Sequence, residues 1–162
     1  MSLKKEDILS RLTETGIRYN NIDHPAIYTI EGMLSLGLPN TERVAKNLFL
    51  KDKGRNYYLL TVPEDRKVNL KELRAILSSK ALTFAKPDEL ESILGVISGA
   101  VTPFGLLNDN EKRVAMVFDN FFKGGLIGVH PVDNTATVFL DFEDLVKVVS
   151  PFAKEVIFID LG

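Results

Sequence analysis

Residues 43–52 read Arg-Val-Ala-Lys-Asn-Leu-Phe-Leu-Lys-Asp (RVAKNLFLKD), and the reading of this stretch decides the fold. As a strand, it sends alternate side chains to opposite faces, so Val44, Lys46, Leu48 and Leu50 share one of them. Three of these are apolar and require a core, whereas the fourth is an ammonium group. Asn47 points the other way. The residues that follow, KDKGRN, are turn-like, and NYYLLTVPE beyond them is rich in strand formers. The two runs predict a β-hairpin. A lysine on such a face either snorkels past an edge or projects into a cleft, where its charge serves a phosphate or a carbonyl.

Working outward, residues 3–15 place Leu3, Ile8 and Leu12 at helical spacing, with Gly16 as the stop. A short extended piece ends at Asp23-His24-Pro25, and residues 30–37 read as a second short helix. Residues 69–79 put Leu70, Leu73, Ile76 and Leu77 on one helical stripe, with Asn69 as N-cap. Residues 87–94 form another short helix with proline at an early position. RVAMVFD, GLIGVH and TATVFLD read as strands, FEDLVKVVS as a helix stopped by Pro151, and EVIFIDL as a last strand. Strands and helices mix without regular βαβ alternation, which predicts an α+β fold around a mixed sheet.

The chain has 162 residues and a net charge of −2. It shows no repeat and no low-complexity linker, so a single domain over residues 1–162 is expected, long enough to bury a core without staples. With no Cys, disulfides, thiolate catalysis and cysteine metal sites are excluded, and a reducing cytoplasm is the expected compartment. No secretory signal and no run of about 18 apolar residues occurs, so no membrane partner is expected. The charge balance argues against gripping a DNA duplex and confines nucleic-acid contact to a small basic patch.

Two further constellations stand out. Gly99-Ala100-Val101-Thr102-Pro103-Phe104-Gly105 (GAVTPFG) combines glycines that allow close backbone approach with a stiffening proline, and such a loop can present N–H groups to a ligand oxygen. The two histidines each precede proline, in Asp23-His24-Pro25 and Val129-His130-Pro131. Proline biases its predecessor toward extended geometry, which places each histidine at a strand end. Two histidines without Cys or HExxH spacing fall short of a zinc site, so no metal is expected. GxSxG, GxxxxGK[ST] and GxGxxG are all absent, which disfavours serine-hydrolase and common nucleotide-dependent classes and leaves no cofactor expected.

Taken in order, Val44-Ala45-Lys46-Asn47-Leu48-Phe49-Leu50, the GAVTPFG stretch, and Gly128-Val129-His130-Pro131 through Asn134-Thr135-Ala136-Thr137 resemble the YbaK/prolyl-tRNA-synthetase-associated domain family. Within it, the chain is most similar to the stand-alone ProXp-ala or PrdX-type branch. Asp23-His24-Pro25-Ala26-Ile27-Tyr28-Thr29-Ile30-Glu31 is similar to the family's N-terminal signature.

The resemblance implies a curved, barrel-like mixed sheet flanked by helices and an editing deacylase acting in trans on tRNA for proline mischarged with alanine. The family's critical lysine matches Lys46, its lysine-asparagine pair matches Lys46 and Asn47, and its strand-end histidine matches His130. Its substrate-binding loop matches Gly99, Ala100, Val101, Thr102 and Pro103. The expected partners are the tRNA acceptor end and, through the family, prolyl-tRNA synthetase. Lys46 and the glycine-proline loop are expected to face each other across a small cavity. Lys51, Lys53 and Arg55 in the hairpin turn are candidate tRNA contacts, as are Lys4, Lys5 and Arg11 on the first helix. Deacylation of Cys-tRNA or another small aminoacyl-tRNA, or non-catalytic tRNA or synthetase binding, are the alternatives.

Overall fold

The structure is a computed structural model that describes residues 2–26 and 30–161. Residues 27–29 of the N-terminal signature therefore lie outside the described residues. In chain order the elements are α1 (Lys5–Glu14), β1 (Tyr19–Asp23), α2 (Ile30–Ser35), β2 (Ala45–Asp52), β3 (Tyr57–Pro63), α3 (Leu70–Leu77) and β4 (Leu82–Phe84). A helical segment follows, opening as a single turn, α4 (Pro87–Glu89), and widening into a π-helix over Leu90–Leu94. After a 3-10 helix (Pro103–Asn108) come β5 (Val114–Asp119), β6 (Leu126–Val129), β7 (Ala136–Asp141), α5 (Phe142–Val149) and β8 (Glu155–Ile159).

The hairpin forms where the sequence predicts it. β2 and β3 pair antiparallel, with Lys46 opposite Val62 and Asn47 opposite Thr61. Asp52 fixes the turn: its Oδ1 accepts from the Gly54 N–H at 2.8 Å and the Asn56 N–H at 2.9 Å, an Asx-type closure. The hairpin sits in a five-stranded mixed sheet of order β4-β2-β3-β5-β8, in which β3, β5 and β8 run parallel. A second, antiparallel sheet has the order β1-β7-β6. One parallel bridge, Val44 to Gly128, joins the two. The α+β architecture with mixed sheets is as expected, but the strands do not close into a barrel. β4 and β8 are edges of the larger sheet.

Both faces of the hairpin are buried, which explains why YYLLTV and VAMVF are apolar throughout rather than alternating. Ala45, Phe49 and Leu59 join the larger core with Ile8 and Leu12 of α1, Ala100, Phe104 and Leu145 of α5. On the opposite face, Leu50, Leu60, Val62 and Val117 pack with Leu73 of α3 and Leu161.

α3 is capped as the sequence predicts. The Asn69 side chain accepts from the Lys71 N–H at 2.9 Å and the Glu72 N–H at 3.2 Å. Of its predicted stripe, Leu73 is fully buried but Ile76 remains 45% exposed, because a two-turn helix presents only a narrow strip to the sheet. The helix predicted over 87–94 is largely π-helical, and neither β4 nor the 3-10 helix after the glycine-proline loop was legible beforehand.

Candidate active site

The parallel bridge between the two sheets organises the site. It sets Val44 beside Gly128 on chains running the same way, so Lys46 and His130 each lie two residues beyond a shared point. Gly128 leaves room for the ring of Phe139, its partner on β7, which packs with Val44: a Cβ at 128 would come within 2.7 Å of the Phe139 Cε1.

The two histidines, more than 100 residues apart in the chain, converge at one end of the three-stranded sheet. Their ring centroids are 6.2 Å apart in an edge-on arrangement. His24 lies just past β1, and its backbone N–H donates to the Thr135 carbonyl at 2.8 Å. Its Nδ1 lies 2.9 Å from the Pro25 carbonyl and its Nε2 lies 2.8 Å from the Thr137 hydroxyl. A carbonyl only accepts, so Nδ1 carries the proton, and in the neutral ring Nε2 accepts from Thr137.

His130 is held in the same way. Its Nδ1 sits 2.8 Å from the Ala136 carbonyl, which requires a proton on Nδ1 and leaves Nε2 of the neutral ring as an acceptor with no hydrogen-bond partner among the described residues. Burial pushes the His130 pKa below its ordinary value, and neighbouring His24 pushes the same way. The bond to Ala136 and the charge of Asp133 oppose them without reversing the result. His130 is therefore a neutral, oriented imidazole near pH 7.

Lys46 and Asn47 diverge, as strand alternation requires. The Asn47 Oδ1 accepts from the buried Thr61 hydroxyl at 2.6 Å. The Lys46 ammonium donates to the Arg66 carbonyl. Arg66 closes the turn after β3, its N–H bonded to the Pro63 carbonyl at 2.9 Å. Its guanidinium pairs with Asp119 at 2.9 Å and also donates to the Leu161 carbonyl. The cation is thus partly buried and satisfied by a backbone oxygen, which removes the cost of leaving it unpaired.

The glycine-proline loop packs against the other face. Ala100, Thr102 and Pro103 are buried, Val101 is half-buried and Gly99 is exposed with φ of +92°. Ala100 and Phe104 belong to the core that contains Ala45 and Phe49, whereas Lys46 shares a face with Val62 and the α3 layer. Among the described residues no hydrogen bond joins the Lys46 ammonium to residues 99–103. Ala100 and Phe104 thus lie with the core that holds Ala45 and Phe49, while Lys46 stands opposite Val62 on the neighbouring strand. The Ala100 N–H donates to Ile97 and the Gly105 N–H to Thr102. Among the described residues, the Val101 and Thr102 N–H groups meet no protein acceptor.

The hairpin cations lie elsewhere. Lys51 is five residues along β2 from Lys46, about 17 Å away at strand rise. Its ammonium pairs with Glu89 at 2.8 Å, and Glu89 also accepts from the Tyr57 hydroxyl at 2.6 Å. Lys53 and Arg55 are exposed at the turn. On α1, Lys5 pairs with Asp23 at 3.2 Å and Arg11 stands over the Phe152 ring. Sequence reading missed His24 as a partner of His130, Thr137 as its anchor, and Arg66 as the acceptor for Lys46. The paired His-Pro dipeptides were the one available signal.

The chain is thus a two-sheet α+β domain with two oriented histidines at the end of one sheet and a lysine on the strand bridged to it, and the family comparison says which kind of domain it is. Residues 24–148 match the aminoacyl-tRNA editing domain, and the chain belongs to that family. It is accordingly an enzyme of the aminoacyl-tRNA deacylase class. Among its relatives, the prolyl-tRNA editing protein ProX of Acetoanaerobium sticklandii is 44% identical over 147 residues, spanning 90% of each chain. A prolyl-tRNA synthetase associated domain-containing protein 1 of Danio rerio is 37% identical, over 88% of this chain and 77% of that protein. A crystal structure described as a candidate trans-editing enzyme for prolyl tRNA synthetase superposes with a TM-score of 0.72 at 17% identity, covering 99% of this chain and all of that one. Among the described residues no helix is long and apolar enough to cross a membrane.

Proposed function

We propose that this chain is a free-standing editing enzyme that hydrolyses the ester linking alanine to tRNA for proline. The observation that carries this reading is the reach of the match to the prolyl-tRNA editing relative, which extends over 90% of both chains. Little of that relative lies outside the editing unit, so the unit acts on a tRNA released by the synthetase rather than within it.

An aminoacyl ester is already activated, so its hydrolysis needs a held substrate and an oriented water more than a covalent nucleophile. The His130 Nε2 lone pair accepts a hydrogen bond from that water or from the terminal ribose hydroxyl. The Val101 and Thr102 N–H groups receive the charge that develops on the carbonyl oxygen. Asn47 holds the strand register beside them through Thr61. Lys46, on its long stem, turns from the Arg66 carbonyl to meet the phosphate of the terminal nucleotide. Lys53 and Arg55 supply weaker, sequence-independent contacts to the acceptor end. Alanine is selected by pocket size and the bulkier proline ring is shut out. A missing methylene alone discriminates by only about 1–3 kcal/mol, which is the reason a second checking site is useful to a synthetase.

A deacylation panel over tRNA for proline charged with alanine, cysteine, serine or proline tests this reading. Alanine should be released and proline spared, and Lys46→Ala should abolish turnover. Preferential release of cysteine would reassign the substrate, and full activity of Lys46→Ala would remove that lysine from the site.

A further inference from the structure

The turn that receives the Lys46 ammonium carries a titratable group that the mechanism above does not use. The Glu64 N–H donates to the Val44 carbonyl at 3.1 Å, which extends the antiparallel β2–β3 register by one residue. Val62 lies opposite Lys46, so Glu64, two residues on, is its diagonal neighbour on the same sheet face, within reach of a long side chain. Arg66, two residues further, offers its carbonyl to Lys46 and is tied by its guanidinium to the buried Asp119 of β5. Lys46, Glu64, Arg66 and Asp119 thus form one charged cap over the end of the core beneath α3, with Leu161 closing it.

Within that cap Glu64 is the unmatched member. Asp119 has the Arg66 guanidinium and the Phe121 N–H, and Lys46 has a carbonyl, but among the described residues no cation forms an ion pair with Glu64. Burial outweighs the attraction of Lys46, and with Asp65 adding repulsion the Glu64 carboxyl is raised to about 6. A half-buried carboxyl beside the cation expected to meet the terminal phosphate is a common mark of a working site.

We propose that Glu64 is a positioning residue: its carboxylate, diagonal to Lys46, fixes where the Lys46 ammonium stands and thereby sets the rate of ester hydrolysis. This rests on the reading of Lys46 as the substrate-facing cation. With Glu64 ionised, its charge and the Arg66 carbonyl together hold the ammonium at the end of the β2–β3 pair. With Glu64 neutral, only the Arg66 carbonyl holds it, and the productive position is less often occupied.

Glu64→Gln in the full chain tests this, assayed on alanine-charged tRNA for proline with uncatalysed ester hydrolysis subtracted. Its kcat/KM should fall about tenfold at pH 7.5, the order of effect one carboxylate exerts on an ammonium a diagonal step away. Glu64→Asp should recover part of the loss. The Lys46 13Cε resonance, assigned by its disappearance in Lys46→Ala, should shift with an inflection near pH 6 in the wild type and lose that inflection in Glu64→Gln. Misfolding is not expected to obscure the result, since removing a half-buried charge should raise the melting temperature at pH 8. A Glu64→Gln protein with wild-type kcat/KM and an unchanged pH dependence of the Lys46 13Cε resonance, beside an inactive Lys46→Ala, overturns the role of Glu64 and leaves that of Lys46 intact. An active Lys46→Ala overturns both.

Discussion

Glu89 gathers three donors beside the hairpin, and Glu89→Gln isolates what its charge contributes. Burial opposes its ionisation. Hydrogen bonds from the Lys51 ammonium, the Tyr57 hydroxyl and the Lys86 N–H prevail, and they hold the carboxyl at about 2 against an ordinary 4.5. That depression corresponds to about 3.4 kcal/mol of preference for the charged form. The side chains are 29% and 17% exposed for Lys51 and Glu89, so solvent screening reduces this to about 2 kcal/mol. Glutamine keeps the shape and still accepts one hydrogen bond, so the variant should lose about 1–2 kcal/mol at pH 7.

The sign follows from the lowered pKa. The stabilisation is complete above the unfolded value of 4.5 and disappears as pH falls toward about 2. Urea unfolding at pH 7 and pH 3 should therefore show a gap between wild type and variant that shrinks by more than half at the lower pH. Lys51→Ala should cost a similar amount, the double variant should be clearly less than additive, and deacylation by Lys51→Ala should persist. A gap equal at both pH values, or a Lys51→Ala protein of wild-type stability with impaired turnover, would refute this account and return Lys51 to the substrate.

His130 titrates with the same sign in a higher pH range. It is buried neutral and its pKa lies below 6.5, so its favourable contribution is present above 6.5 and is lost as pH falls through the folded value. Turnover should fall in the same range as Nε2 takes a proton, and a pH-rate profile of His130→Gln should lack that limb. Gly128→Ala forces a Cβ to 2.7 Å from a carbon of the Phe139 ring and should cost about 1–3 kcal/mol, with partial rescue by Phe139→Leu, as read by thermal unfolding. The Lys53→Ala, Arg55→Ala double variant should raise KM for charged tRNA with kcat unchanged and lower the salt dependence of binding by up to about two counterions.

Much of the fold could be read from pattern because local rules and tertiary burial agreed. Asn69 caps α3 as expected, the Asp52 turn closes the hairpin, and Phe142–Val149 ends before Pro151. β4 was not legible because three residues carry too little periodicity, and the π-helix over Leu90–Leu94 was not because its apolar spacing resembles an α-helix. At the site, Lys46, Asn47, His130 and residues 99–103 were named from motif order, and the structure confers different surroundings on each. Lys51 was read as free because sequence cannot show that Glu89 folds back onto it.

The amino-acid order by itself determined the hairpin, the helices with their caps, the absence of thiol chemistry, and a pair of histidines fixed at strand ends by proline. Those properties depend on neighbours a few residues away, where backbone sterics and side-chain period act. Only the tertiary structure decided that His24 meets His130, that Lys46 rests on the Arg66 carbonyl beside Glu64, and that the glycine-proline loop packs beneath the other face of β2. Each of these depends on how two sheets meet at the Val44–Gly128 bridge, a contact between residues 84 positions apart whose formation is governed by burial of both faces rather than by any local signal.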